Sequence, residues 1–196
     1  MTNNLQRKKN KQKTILNAAT KLFFVNGYKK TSIAQIAKEA NSSQVTLYKY
    51  YASKVELARA VVVKLIVEGY GQYDKLLDDP DKTFVEKMQA MMRGGSSEAS
   101  QISDDFVNFM LKEFRGANGS KTVLKVYNDY KVNFWNKLFD QGRKEGKVNP
   151  QISNEAALIF LDMYVSYALN PSYDAVKFNH HAEELIHLFY YGIMGR

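Results

Sequence analysis

Cysteine is missing from all 196 residues, so the chain can form no disulfide and offer no thiolate to a metal. Histidine is scarce: His180, His181 and His187 are the only three. His180 with Glu184, and Glu183 with His187, have i,i+4 ligand spacing, but helix surfaces present such pairs often and no metal site is expected. No nucleophile motif or carboxylate pair stands out. The stretch from Gly116 to Lys121 lacks P-loop spacing and reads as a turn before a helix. No run of apolar residues approaches membrane length, and the basic N-terminus lacks the apolar centre of a secretory leader. No alternating strand pattern of useful length occurs. These absences leave an all-α protein with no catalytic residue, no cofactor, no metal and no membrane span, and they fit a reducing cytoplasm.

One further scarcity points somewhere. Residues 1–60 hold twelve Lys and Arg against Glu39 and Glu56, net +10, while the whole chain is +8 and the remainder is therefore −2. A surface of one sign attracts a polyanion through counterion release, although Lys-rich stretches also serve plain solubility.

Helix punctuation locates the element that would use this charge. Ser32 followed by Gln35, and Ser53 followed by Glu56, are capping-box patterns, so helices should begin just after Ser32 and Ser53. Ile33, Ile36, Ala37 and Ala40 form one apolar stripe, and Asn41-Ser42-Ser43 breaks it. From Gln44 to Tyr51 only Leu47 and Tyr51 can face inward, so the other side chains point to water or a partner. Upstream, Ile15, Ala18, Ala19, Leu22, Phe23 and Asn26 share a face of a longer helix expected from about Asn10 to Gly27, a residue able to take positive φ. Three short helices with convergent stripes make a helix-turn-helix unit. The DNA major groove is the partner that suits its exposed middle helix.

Residues from about Lys11 to Arg59 resemble the DNA-binding domain of the TetR family of bacterial transcriptional regulators. The resemblance rests on Ile15, Ala18, Ala19, Leu22, Phe23 and Gly27-Tyr28, then Thr31-Ser32, Ile36-Ala37 and Ala40. It continues through Thr46-Leu47-Tyr48, Tyr50-Tyr51, Ser53-Lys54 and Glu56-Leu57. Asn41-Ser42-Ser43 stands where the family usually has Gly-Val-Ser, Val45 where it often has Gly, and Tyr51 where it often has Phe. Asn tolerates the left-handed region nearly as well as Gly, so the turn is expected to survive.

The DNA-contacting residues expected are Thr31, Ser32, Ser43, Gln44, Val45, Thr46, Tyr48, Lys49, Tyr50 and Lys54. Gln44 can pair bidentately with adenine, and Val45 and the Thr46 methyl suit a thymine methyl. Tyr48 resembles the family tyrosine that donates to a phosphate, and Tyr50 does likewise or touches a base edge. Lys49 is a phosphate candidate, and Lys54 sits where a helix N-terminus also favours an anion. Thr31 and Ser32 can cap the second helix and meet phosphate. Arg7, Lys8, Lys9, Lys11 and Lys13 resemble a basic arm, with a solvated tail as the alternative.

Behind this reader, at residues 1–53, a helical effector-binding and dimerisation domain is expected over 54–196. Helices are expected at about 54–77, 83–93, 104–115, 121–144, 154–169 and 180–194, with Gly94-Gly95-Ser96-Ser97 the most flexible break. One helix-turn-helix makes too few base contacts for a genomic site, so two copies should read a two-fold operator. The dimer face expected comprises Leu158, Leu161, Val165, Leu185, Leu188, Phe189, Gly192 and Ile193, in a four-helix arrangement typical of the family. The resemblance also implies a pocket for a small apolar or aromatic effector. Its expected walls are Met88, Met91, Phe106, Phe109, Met110, Tyr127, Tyr130, Phe134, Met163 and Tyr167, although such stripes are more often core. Asp162 would serve a cationic effector only if it faced inward. Two alternatives stay open: an effector-independent architectural protein, and a helical carrier or enzyme whose basic face is incidental.

Overall fold

The computed structural model describes residues 2–94, 102–168, 170 and 175–194, and every regular element among them is an α-helix. In order these are α1 (Thr2–Lys30), α2 (Ile33–Glu39), α3 (Gln44–Tyr48), α4 (Lys54–Leu77), α5 (Phe84–Gly94), α6 (Asp104–Phe114), α7 (Thr122–Lys144), α8 (Asn154–Ala168) and α9 (Ala175–Met194). The chain divides into two compact units, residues 1–66 with 98–124 and residues 67–97 with 125–196. The division falls inside α4, so the boundary expected at 53/54 lies within the first unit, at the start of that helix. The expected break at Gly95-Ser96-Ser97 and the break at Pro171 lie outside the described residues, as do the side chains of His180 and Glu183.

Small and aromatic residues build the first unit. Ala19, Ala37, Ala40 and Ala58 are almost wholly buried, letting helix axes approach closely around Ile15, Phe23, Ile36, Leu47 and Leu57. Phe106 and Phe109 of α6 complete this core, Phe106 stacked on Phe23 at 5.3 Å and Phe109 on Tyr28 at 4.4 Å. Each buried phenyl contributes about 2–3 kcal/mol of apolar transfer.

Polar locks fix how α6 docks on α1. The Ser103 N–H donates to the Phe24 carbonyl at 2.8 Å, and Asp105 Oδ2 accepts the Lys29 N–H at 2.7 Å. Gly27 makes this possible. Its φ is 80°, and a Cβ there would sit 2.8 Å from Asp105 Cβ. The expectation of a positive φ at Gly27 is met, but the helix does not stop; it breaks there (ψ 173°) and resumes to Lys30. α1 also begins eight residues before Asn10, at Thr2. A helix anchored from Lys11 onward extends at low cost, because nucleation has already been met.

Across the unit, Arg59 Nε donates to Glu113 Oε2 at 2.6 Å, and the Glu113 side chain is wholly buried. Asn118 Nδ2 and the Asn118 carbonyl take up the remaining Glu113 and Arg59 valences. The pair ties α4 to the end of α6.

The second unit packs Phe84, Met88, Phe134, Leu138, Phe139, Ala157, Phe189 and Ile193 into its own core. Gly142 lets α7 approach: a Cβ there would lie 2.5 Å from Val148 Cγ2 and 2.7 Å from Phe84 Cδ2. Thr83 and Glu86 cap α5, with the Thr83 N–H donating to Glu86 Oε2 at 2.8 Å. The buried Lys87 ammonium closes the other end of α4, donating to the Leu77 carbonyl at 2.6 Å and to Gln141 at 2.9 Å.

Candidate nucleic-acid interface

The α2–turn–α3 geometry follows from its caps. Ser32 Oγ accepts the Gln35 N–H at 3.2 Å while Gln35 Oε1 accepts the Ser32 N–H at 2.7 Å, a complete capping box. α2 ends in a Schellman turn: the Ser42 N–H donates to the Ala37 carbonyl at 2.8 Å and Asn41 adopts φ 45°. Ser43 then caps α3, its Oγ accepting the Thr46 N–H at 3.0 Å. At Ser53 only half of the expected box forms. The Glu56 N–H reaches Ser53, but the Glu56 carboxylate pairs with Arg59 Nη1 at 2.7 Å instead.

α3 is five residues long and buries one of them, Leu47. Gln44 with Tyr48, and Val45 with Lys49, are i,i+4 pairs, and all four are exposed while Leu47 is buried. Val45 is 68 % exposed, an unfavourable place for an isopropyl group in a free protein and a suitable one against a thymine methyl. The four side chains present an amide, an apolar wedge, a phenol and an ammonium on one small convex surface.

Several residues expected at the DNA have internal work instead. Thr31 is 1 % exposed, and its hydroxyl donates to the Gly27 carbonyl at 2.7 Å, with the Leu22 carbonyl at 3.1 Å. Burial removes it from the DNA surface; it holds α2 to the end of α1. The Thr46 hydroxyl lies 2.9 Å from Ser43 Oγ and belongs to the α3 cap. Tyr50 is half-buried against the core, and Tyr51, as expected, is buried. The Lys54 ammonium sits 4.4 Å above the Tyr28 ring and donates to the Lys29 carbonyl at 3.4 Å. Burial pushes its pKa down, with nearby Asp105 opposing, and these two contacts tie it to the junction of the unit. Ser32, Ser43, Gln44, Val45, Tyr48 and Lys49 remain exposed.

One contact near the reader follows from no spacing rule. The Lys11 ammonium donates to the Asn41 carbonyl at 2.8 Å, bracing the turn before α3.

The expected effector walls are shared between the two units. Phe106, Phe109 and Met110 belong to the core of the first unit, packed with Phe23, Phe24 and Tyr28. In the second unit Met88 and Phe134 are core, and Met91 packs against them. Tyr127, Tyr130 and Phe134 gather around Tyr70 at 5.7–6.3 Å. Burial raises the pKa of both Tyr70 and Tyr127. Beside them the buried Lys131 ammonium bonds Asn128 at 3.2 Å and pairs with Asp162, whose side chain is half exposed. Met163 and Tyr167 instead line an open groove of about 380 Å³ with Phe160, Tyr164, His181, Leu185 and Leu188.

The expected dimer face is likewise divided. Phe189 and Ile193 are buried in the core, and Leu161 packs against it. Leu158, Val165 and Leu185 are half-buried, while Leu188 and Gly192 are exposed. The outward stripe lies one step round α8, at Ile159, Phe160, Met163 and Tyr167, joined on α9 by Leu188 and Tyr191; Met163 is 65 % and Leu188 67 % exposed. α8 carries apolar residues on both stripes, so periodicity alone could not choose between them. Among the described residues no helix is long and apolar enough to cross a membrane, and no cluster of three His, Asp or Glu side chains could hold a metal.

Residues 15–61 match the family of bacterial regulatory proteins, tetR family. The chain is 24 % identical over 156 residues to the uncharacterized HTH-type transcriptional regulator YhgD of Bacillus subtilis, covering 80 % of this chain and 81 % of that one. Its fold is similar to that of a TetR family transcription regulator from Marinobacter aquaeolei (TM-score 0.58, 19 % identity, 97 % and 99 % of the two chains). It is also similar to the transcriptional regulator FadR from Bacillus subtilis, solved in complex with stearoyl-CoA (TM-score 0.53, 15 % identity, 92 % and 98 % of the chains).

Proposed function

We propose that this chain, a transcriptional regulator of the tetR family, is a cytoplasmic repressor that binds a two-fold operator as a homodimer and is released by a small apolar or aromatic molecule. The observation that carries the reading is the α3 surface: Gln44, Val45, Tyr48 and Lys49 exposed together on a capped helix, in the segment that holds all the net positive charge. Gln44 reads an adenine edge and Val45 a thymine methyl. Tyr48, Lys49, Ser32 and Ser43 hold the phosphates that set the register. Expected domain roles follow, with residues 1–53 the reader and 54–196 the body that pairs and binds the effector.

Pairing uses the outward stripe of α8 and α9. Ile159, Met163, Leu188 and Tyr191 from two protomers would form a four-helix contact whose centre is apolar, as self-complementary two-fold interfaces require. The fold-relative FadR was solved with an acyl ligand, which favours a ligand-responsive body here. The aromatic cluster around Tyr70 would offer ring faces to such a ligand. Release needs only a few kcal/mol of differential affinity between two spacings of the readers.

Selection of duplexes from a random-sequence pool by the purified chain tests this reading. A two-fold motif with half-sites about one helical turn or more apart is expected. A selected pool indistinguishable from the starting one overturns it.

A further inference from the structure

The turn that sets α3 is weakly built, and its brace comes from another helix. α2 and α3 are seven and five residues long, too short to fix their own ends, so the turn between them decides where α3 points. Asn41 has φ 45° there, a positive value that a residue with a Cβ adopts less readily than glycine. Ser42 adds a second weakness: its Oγ is buried with no hydrogen-bond partner among the described residues. Against these, the Lys11 ammonium reaches across from α1 and donates to the Asn41 carbonyl at 2.8 Å. Lys11 lies one helical turn before Ile15, which shares one core with Ile36 of α2 and Leu47 of α3, so the ammonium is carried on a helix already docked. The carbonyl it holds directly follows the C-cap of α2, where the helix dipole favours a cation. Ser43, the cap of α3, comes two residues later.

We propose that Lys11 is a positioning residue for base reading: its bond to the Asn41 carbonyl steadies the turn that Asn41 and Ser42 weaken, and so fixes the angle at which α3 presents Gln44 and Val45. This rests on the operator-binding function proposed above and adds a residue that itself touches no base and no phosphate. A bidentate amide on adenine tolerates little misalignment, so a turn able to shift lowers the fraction of molecules competent to read the site. Phosphate contacts carry no sequence information and survive such a shift better. Loss of the brace therefore lowers preference for the operator and leaves general affinity for duplex in place. Loss of a phosphate contact does the opposite, weakening all sequences alike.

The test compares three full chains: wild type, Lys11→Met, and the triple change Lys11→Met with Asn41→Gly and Ser42→Ala. Each is titrated over a range of salt with the duplex that wild type selects from a random pool and with a scrambled duplex. Lys11→Met should lower operator affinity roughly tenfold or more. It should bind the scrambled duplex nearly as wild type does, keep the slope of log Kd against log salt, and keep the helical signal in circular dichroism. The triple change removes the positive φ borne by a side chain and the unpaired hydroxyl, so it should recover most of the operator preference without restoring the ammonium. A wild type that selects no motif overturns this proposal together with the operator reading. Equal weakening on both duplexes with a shallower salt slope would make Lys11 a phosphate contact and overturn this proposal alone. So would an unchanged preference or a lost helical signal in Lys11→Met, or a triple variant as unselective as the single one.

Discussion

The two units solve the same packing problem with different materials. In the first, alanines and phenylalanines seal the core, and neighbouring hydroxyls, amides and one buried ion pair close the ends of every short helix. In the second, aromatic rings and buried lysines fill the interior, and large apolar side chains remain on the outer face of α8 and α9. A reader that must hold four side chains in register against a rigid duplex needs its backbone over-determined. A body proposed to meet a ligand and a second copy of itself keeps surface uncommitted. Substitutions in either unit can break that contrast.

The largest effect is expected at the lock of the first unit. Glu113→Ala removes the buried one of the two carboxylates that hold the Arg59 guanidinium, leaving the exposed Glu56, and should cost about 3 kcal/mol in chemical denaturation, whereas the double change Arg59→Met with Glu113→Leu should recover much of it. A loss under about 1 kcal/mol for the single change would show that the pair does not hold the unit together.

Next comes the outer face of the second unit. Met163→Asp with Leu188→Asp should leave helicity and unfolding nearly unchanged, because both side chains are exposed. It should yield monomers by light scattering and lower operator affinity roughly hundredfold, the order expected when one of two linked readers is lost. A dimer that survives would move the contact to another face.

Gln44→Ala should cost about 1–3 kcal/mol on the selected operator and relax preference at one position per half-site, with stability unchanged. Thr31→Val should do the reverse. It removes a buried hydroxyl from two carbonyls, so the fold is destabilised by about 1 kcal/mol while the sequence preference stays the same.

The smallest effect is a pH dependence in the second unit. The Thr83 N–H and hydroxyl hold the Glu86 carboxyl below its ordinary pKa. A folded value below the unfolded one means the cap is at full strength above the ordinary carboxylate range and fades as pH falls through the folded value. Glu86→Gln should remove that part of the acid sensitivity, read as the shift of the denaturation midpoint between neutral and acidic buffer. An unaltered pH profile would count against the cap.

The same contrast explains which features are legible in the sequence and which are not. The reader is written in local signals: Ser32 with Gln35, Asn41 at the turn, and Leu47 alone among polar neighbours concern residues a few positions apart. Distances of that kind survive in a linear sequence. Thr31 reads as a DNA contact by its place before α2, yet its hydroxyl turns back to Gly27 and Leu22, a preference that no spacing rule carries. Phe106, Phe109 and Met110 read as part of the body because they come late in the chain, whereas Ser103 and Asp105 dock α6 on α1, some eighty residues earlier. On α8 both Leu158–Leu161–Val165 and Ile159–Met163–Tyr167 satisfy helical periodicity. Only the packing of α9 decides which of them is covered.

The most direct measurement is equilibrium binding of a labelled selected operator and of its scrambled counterpart, by wild type and by a variant carrying Gln44→Ala and Val45→Ala, at moderate ionic strength. Wild type should prefer the operator by a factor of about a thousand or more, and the variant should bind both duplexes alike, close to the wild-type affinity for the scrambled one. Equal binding of both duplexes by wild type, or an undiminished preference in the variant, would contradict the assignment of base reading to α3.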